Sequence, residues 1–298
     1  MPALVIASLQ PLSGKTAVAA GLAYRLQQAG RSVAVLRLVG DAHAEADARL
    51  FAALAFNAHK GAEPVAAVAP ASEADVTLLE APAGDPKETA SSLSAKVIVV
   101  AAYADPLPDG LAALRQSLGD AYAGAIITRV PKSRLEATER AAAGLGLLAL
   151  LPEDRTLAAA CLGDVAAALE AETSHMDGAR ESVIDRPVIS SISVDPAQGY
   201  FAYYDPNAVI VRGDKPDQQL GALNAGAPCL IVTGGLPVLS YVEDRAAEER
   251  VPILKTTLDT IETVRRLESL YGSTPFSGAA KVERVAALLA GLDVSALV

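Results

Sequence analysis

The residues whose types and spacing can do chemistry begin with Ser8-Leu9-Gln10-Pro11-Leu12-Ser13-Gly14-Lys15-Thr16. This stretch lies between an apolar run, Leu4 to Ala7, and a helix-forming segment, Thr16 to Gln28. That order of strand, loop and helix, ending in Gly-Lys-Thr, is the arrangement that cradles phosphates. Backbone N–H groups in such a loop point at phosphate oxygens, and the helix N-terminus adds its positive end. The Lys15 ammonium would bridge the outer phosphates and the Thr16 hydroxyl would ligate Mg2+. The expected ligand is ATP, or another nucleoside triphosphate, with Mg2+. Its phosphates would be held by Gln10, Pro11, Leu12, Ser13, Gly14, Lys15, Thr16 and Ala17. Two features depart from the usual G-x-x-x-x-G-K-[ST] pattern. Leu9 stands in place of its first glycine, and Pro11 lacks an N–H. An ordinary helix start with Ser13 as its N-cap is the simpler alternative.

Magnesium also needs acidic oxygens at a strand end that faces the phosphates. Glu80 directly follows the run Val76 to Leu79, and Ala81-Pro82-Ala83-Gly84 reads as a turn of small residues. Asp41, Glu45 and Asp47 follow the second strand, and Asp47 is the preferred second acid. The expected metal set is therefore Thr16, Asp47 and Glu80. No catalytic residue is assigned. In the second half, Gly213-Asp214 and Thr233-Gly234-Gly235 stand at the carboxyl ends of expected strands. Ligands bind at that edge of open α/β sheets, and glycine there admits a close approach. Tight turns explain these glycines equally well. The expectation is a small-metabolite pocket or a self-association surface.

These residues need a scaffold that presents strand ends along one edge. Apolar runs at Leu4 to Ala7, Val33 to Leu36, Val76 to Leu79, Val97 to Ala101, Ala125 to Ile127 and Leu147 to Leu151 alternate with alanine-rich helical stretches. Continuous rather than alternating hydrophobicity marks strands covered on both faces, hence a parallel sheet between helices. Leu157 to Ala171 reads as one closing helix and 172–186 as a polar linker. A smaller α/β unit follows, with strands at Ala208 to Val211, Cys229 to Val232 and Pro252 to Lys255, and helices around Asp217 to Asn224 and Leu258 to Tyr271. The expected fold class is α/β, a parallel-sheet phosphate-loop domain over 1–171 followed by a smaller α/β domain over 187–298.

Composition narrows the partners. A net charge of −10 repels phosphodiester backbones and anionic lipid, so neither nucleic acid nor a membrane surface is expected. Hydrophobic residues reach 51%, yet no run attains the about 18 to 20 apolar residues of a membrane span. The amino terminus shows no basic leader pattern, and a cytoplasmic location is expected. The two cysteines, Cys161 and Cys229, and the three scattered histidines lack metal-ligand spacing. Two buried, reduced thiols are expected.

With these residues assembled, the first domain resembles the dethiobiotin synthetase family, and more closely the version found at the amino terminus of long phosphate acetyltransferases. Pro11-x-Ser13-Gly14-Lys15-Thr16 is similar to that region's loop, and Glu80-Ala-Pro-Ala-Gly84 sits where the family has Glu-Gly-Ala-Gly-Gly. Ile126-Ile-Thr-Arg-Val-Pro131 resembles its base-binding strand end, and Leu151-Pro-Glu-Asp-Arg155 its closing strand and turn. The resemblance thus implies base contacts from Thr128, Arg129, Pro152 and Glu153. The second domain resembles the DRTGG domain through Val211-Arg-Gly-Asp214, Gln218-Gln-Leu-Gly-Ala-Leu223 and Leu230-Ile-Val-Thr-Gly-Gly235.

The departures redirect the functional expectation. Arg37-Leu38 replaces the family's Lys-Pro pair, Thr128 replaces its adenine-reading Asn, and the segment between Asp47 and Glu80 lacks a Ser-Pro substrate loop. The resemblance therefore implies a nucleotide-responsive regulatory or sensory protein, a homo-oligomer, with slow nucleotide hydrolysis left open. A transacetylase domain would have to follow residue 298, so acetyl transfer is not expected. Two other readings stay in view, an ATP-dependent ligase of the dethiobiotin or cobyrinic acid amidation class and a dimerisation scaffold with a vestigial loop.

Overall fold

The computed structural model describes residues 3–66, 74–190 and 198–297. The chain divides into two compact units, Met1–Asp154 with Lys281–Val298, and Arg155–Ala280.

The first unit is built on six parallel strands, β1 (Ala3–Ser8), β2 (Val33–Arg37), β3 (Val76–Ala83), β4 (Lys96–Ala102), β5 (Tyr122–Val130) and β6 (Leu147–Pro152). All six coincide with the apolar runs of the sequence. Between them lie α1 (Lys15–Gln28), α2 (Ala44–Ala53), α3 (Lys87–Leu93), α4 (Gly110–Leu118) and α5 (Leu135–Ala141). The sheet order is β2-β3-β1-β4-β5-β6. Every residue of β2 is buried, as is Leu4 to Ser8 of β1, so both faces of these strands are covered. The chain winds one way from β1 through β2 and β3, then crosses to β4 on the other side. The carboxyl end of β1 is thus the point where the winding reverses, and there the loop of Leu9 to Gly14 begins.

One expected turn is in fact strand. β3 runs through Ala81, Pro82 and Ala83 before turning at Gly84, whose N–H bonds the Ser8 carbonyl at 2.8 Å. Glu80 therefore lies inside the strand, in register with both Ile6 of β1 and Arg37 of β2.

The second unit opens with α6 (Arg155–Ala158), β7 (Ala160–Cys161) and α7 (Leu162–Ala168). The single helix expected over Leu157 to Ala171 is thus broken. Alanine-rich apolar sequence suits either element, and Ala160–Cys161 pairs antiparallel with β9 (Val183–Ile184), which follows β8 (Glu172–Ser174). Then come β10 (Pro187–Ile189), α8 (Gln198–Tyr204), β11 (Ala208–Arg212), α9 (Pro216–Asn224), β12 (Leu230–Thr233), α10 (Ser240–Glu249), β13 (Ile253–Lys255) and α11 (Thr260–Leu270). The sheet order is β10-β11-β12-β13-β8, with β8 antiparallel to β13. The span 172–186, expected as a polar linker, carries the short strands β8 and β9. An edge strand needs few apolar residues, and Glu172 of β8 is held by Lys255 Nζ of β13 at 2.8 Å. Val209 and Val211 face one core with α9 and α10, while Ile210 and Ile231 face another with α7 and α11.

The last segment, α12 (Ala279–Leu288) and the residues after it, belongs with the first unit from Lys281 onward rather than with the second. Gly21 of α1 is its seat. A Cβ there would lie 2.8 Å from Val285 Cγ1 and 3.2 Å from Leu289 Cδ1. Arg25 of α1 donates to the carbonyls of Leu289 and Leu292, and Arg284 pairs with Asp154 at 2.6 Å. Among the described residues no helix is long and apolar enough to cross a membrane.

Candidate functional site

The loop after β1 takes its shape from its own polar side chains. Ser8 Oγ and Ser13 Oγ both donate to the Gln10 carbonyl, at 2.6 and 2.7 Å. Leu12 adopts φ 56° and is 68% exposed, and Gly14 adopts φ 88°. A left-handed leucine is costly, and such strain persists where the surroundings enforce it. Gly14 is the N-cap of α1, and no side chain caps that end. Ser13 is thus not an N-cap, and the first amides of α1 have no intrahelical acceptors. Leu9, in the place of the missing glycine, packs back onto Gly110 at the start of α4, so its side chain turns away from the loop.

Lys15 is 6% exposed and donates from Nζ to Ser8 Oγ at 2.8 Å, folding back along the loop. Burial pushes its pKa down, and the neighbouring Glu80 pulls it the other way. Thr16 Oγ1 donates to Glu80 Oε1 at 3.0 Å. Glu80 is 2% exposed, and its Oε2 has no hydrogen-bond partner. Burial and the adjacent Asp47 raise its pKa to about 8.

Arg37 closes the acidic side. Its Nη1 donates to the carbonyls of Leu38 and Glu80, at 2.6 and 3.2 Å. Nε reaches Asp47 Oδ2 at 3.3 Å and Nη2 pairs with Asp41. Burial raises the pKa of Asp47 against the pull of Arg37, while for Asp41 burial is overcome by Arg37, the His43 N–H and Lys15 acting together, which lower it. Glu45 is elsewhere, paired with Arg49 on the solvent face of α2. Among the described residues no three acidic, His or Cys side chains are arranged to hold a metal ion.

Thr128 and Arg129 support the loop from behind. Thr128 Oγ1 donates to the Ser13 carbonyl at 2.8 Å, and Arg129 Nη2 donates to the Leu12 carbonyl. The Thr128 methyl would meet a Cβ at Gly14 at 3.4 Å. Pro152 pairs with Val130, and the Glu153 N–H bonds the Val130 carbonyl at 2.9 Å, which places both at the same sheet edge. Sequence reading missed the bracing of the loop by Thr128 and the carboxylate clamp at Arg37. A buried arginine ending an apolar strand was the available signal for the second.

In the second unit the glycines are turn and packing residues. Gly213 N–H bonds the Thr233 carbonyl at 2.8 Å, and a Cβ at Gly213 would lie 2.8 Å from Leu236 Cβ. Gly234 and Gly235 have φ 91° and 68°. Thr233 Oγ1 meets Thr260 Oγ1 at 3.0 Å, and exposed Asp214 takes a bidentate pair from Arg212 at 2.8 and 2.6 Å. Cys161 and Cys229 are both buried and free, and desolvation pushes the Cys229 thiol up to about 12.

Residues 164–270 match the family model of the DRTGG domain. That span carries a DRTGG domain. It starts inside α7, so the strand β8 belongs to the domain. Solved structures give remote likenesses. The CBS and DRTGG domains of the regulatory region of Clostridium perfringens pyrophosphatase, complexed with the activator diadenosine tetraphosphate, align at 16% identity and TM-score 0.35, over 43% of this chain. This chain spans 56% of the length of that one. The MinC:MinD cell division complex of Aquifex aeolicus aligns at 17% identity and TM-score 0.40, over 53% of this chain and 84% of that one. The whole is an α/β protein, a domain on a six-stranded parallel sheet with a DRTGG domain after it.

Proposed function

We propose that the chain is a nucleotide-binding regulatory protein, in which the first unit grips the phosphates of ATP or a similar nucleotide and the DRTGG domain carries the response. One observation supports this most. A buried lysine lies along a loop that ends at an uncapped helix N-terminus, so a positive charge and unpaired backbone donors converge at one place. A carboxylate or phosphate group is what such a place binds best.

The residues also fit magnesium. Thr16 and Glu80 offer hard oxygens side by side, and the buried Oε2 of Glu80 lacks a partner that a cation would supply. Mg2+ held there, with Asp47 alongside, would neutralise phosphate charge. Arg37 in place of a lysine, and a Thr128 hydroxyl occupied by the loop, favour binding and signalling over ligase chemistry.

Calorimetry with MgATP and MgGTP tests the reading. Lys15→Ala is expected to lower affinity by about a hundredfold, the worth of a charge-assisted contact of roughly 3 kcal/mol. Equal affinities in wild type and variant would sink the phosphate-site assignment.

A further inference from the structure

Arg37 is the most deeply buried charge of the phosphate site, with its side chain only 1% exposed. It ends β2 in parallel register with Glu80 of β3. Three carboxylates from three elements face its one guanidinium. Asp41 comes from the loop after β2, Asp47 from α2 at 3.3 Å, and Glu80 Oε1 from β3 at 3.9 Å. Two of these, Asp47 and Glu80, are the acids assigned to the metal. The guanidinium is a covalent part of the chain, so this cation cannot be released as a bound ion can. Yet it does not use up the site, because Glu80 Oε2 remains buried and without a partner.

We infer that Arg37 is a built-in counter-cation that keeps the acidic side chains of the site from taking free divalent metal, so that metal binds only with the phosphates a nucleotide brings. The inference rests on the phosphate-site reading above and adds the order in which that site fills. Removing Arg37 takes away one positive charge that lies 3.3 Å from Asp47 and 3.9 Å from Glu80. Coulomb attraction at that range, even well screened, is worth more than a factor of ten. With Arg37 present, the surplus negative charge that draws the metal must come from the nucleotide.

The test is Mn2+ binding to the full chain, followed by the paramagnetic signal of the free ion. Wild type without nucleotide is expected to bind no Mn2+ below about 1 mM, and to bind it once ATP is added. Nucleotide-free Arg37→Gln is expected to bind Mn2+ about tenfold tighter or more. Arg37→Lys, which keeps the charge but not the fork, should behave as wild type. A folded Arg37→Gln with wild-type Mn2+ affinity would overturn the inference and leave Arg37 a structural brace. So would Arg37→Lys gathering Mn2+ as Arg37→Gln does. The wild-type arm needs no variant to fold, and tight nucleotide-free Mn2+ binding there refutes the proposal by itself. Failure of the nucleotide reading shows separately, as an ATP affinity indifferent to Lys15→Ala.

Discussion

The pH response of Glu80 gives a stringent check on the site. Its carboxyl is buried, leaves one oxygen unpartnered, and titrates at about 8 instead of the ordinary 4.5. The folded state therefore holds a proton that the unfolded chain has lost, throughout the interval between those values. Stability from this group is complete below pH 4.5 and is lost as pH rises through about 8. The full displacement would be worth at most about 5 kcal/mol. Because Lys15, Asp47 and Arg37 adjust as Glu80 ionises, about 2 to 3 kcal/mol is expected to appear. For a unit of this size that is roughly 5 to 10 °C in the thermal midpoint. The perturbation is Glu80→Gln, which keeps the shape and removes the titration. Thermal melts of nucleotide-free protein from pH 5 to pH 9 should show the wild-type midpoint falling relative to the variant, with the gap levelling off above pH 8. Parallel curves across the whole interval would mean that Glu80 is not the buried acid described here.

Thr128→Val removes the hydroxyl that holds the Ser13 carbonyl at 2.8 Å, so nucleotide affinity measured by calorimetry should fall several-fold and stability by about 1 to 3 kcal/mol. Gly21→Ala places a methyl 2.8 Å from Val285; overpacking of about 1 to 3 kcal/mol should exceed the helix-propensity gain of about 1, giving a lower midpoint in thermal melts. Asp214→Ala frees an exposed arginine and should leave the midpoint unchanged while altering self-association or metabolite response, read by light scattering with and without a metabolite panel.

Much of this was legible because it is local in the chain. Strands β1 to β4 of the first sheet lie mostly buried on both faces, and such strands are written as unbroken apolar runs. The loop between β1 and α1 is a contiguous segment, and Glu80 follows its strand's run directly. What escaped was set by register and packing. That Arg37 stands opposite Glu80 follows from β3 lying between β2 and β1, which no local pattern encodes. Thr128 meets Ser13 only because the ends of β5 and β1 share an edge. The short strands β7 and β8 were missed because two or three paired residues leave too little periodicity to read.

The return of α12 to α1 splits the first unit in the order of synthesis as well as in sequence. The six-stranded sheet is fully made once residue 154 emerges, but the helix that covers Gly21 and ties down Arg25 arrives only after residue 281. At ordinary elongation rates that interval is roughly 6 to 25 s. The nascent sheet must wait through it with one flank of α1 bare, while the DRTGG domain is being made in between. Completion of the first unit is therefore tied to completion of the second. A ribosome stalled inside the second leaves the first unfinished too.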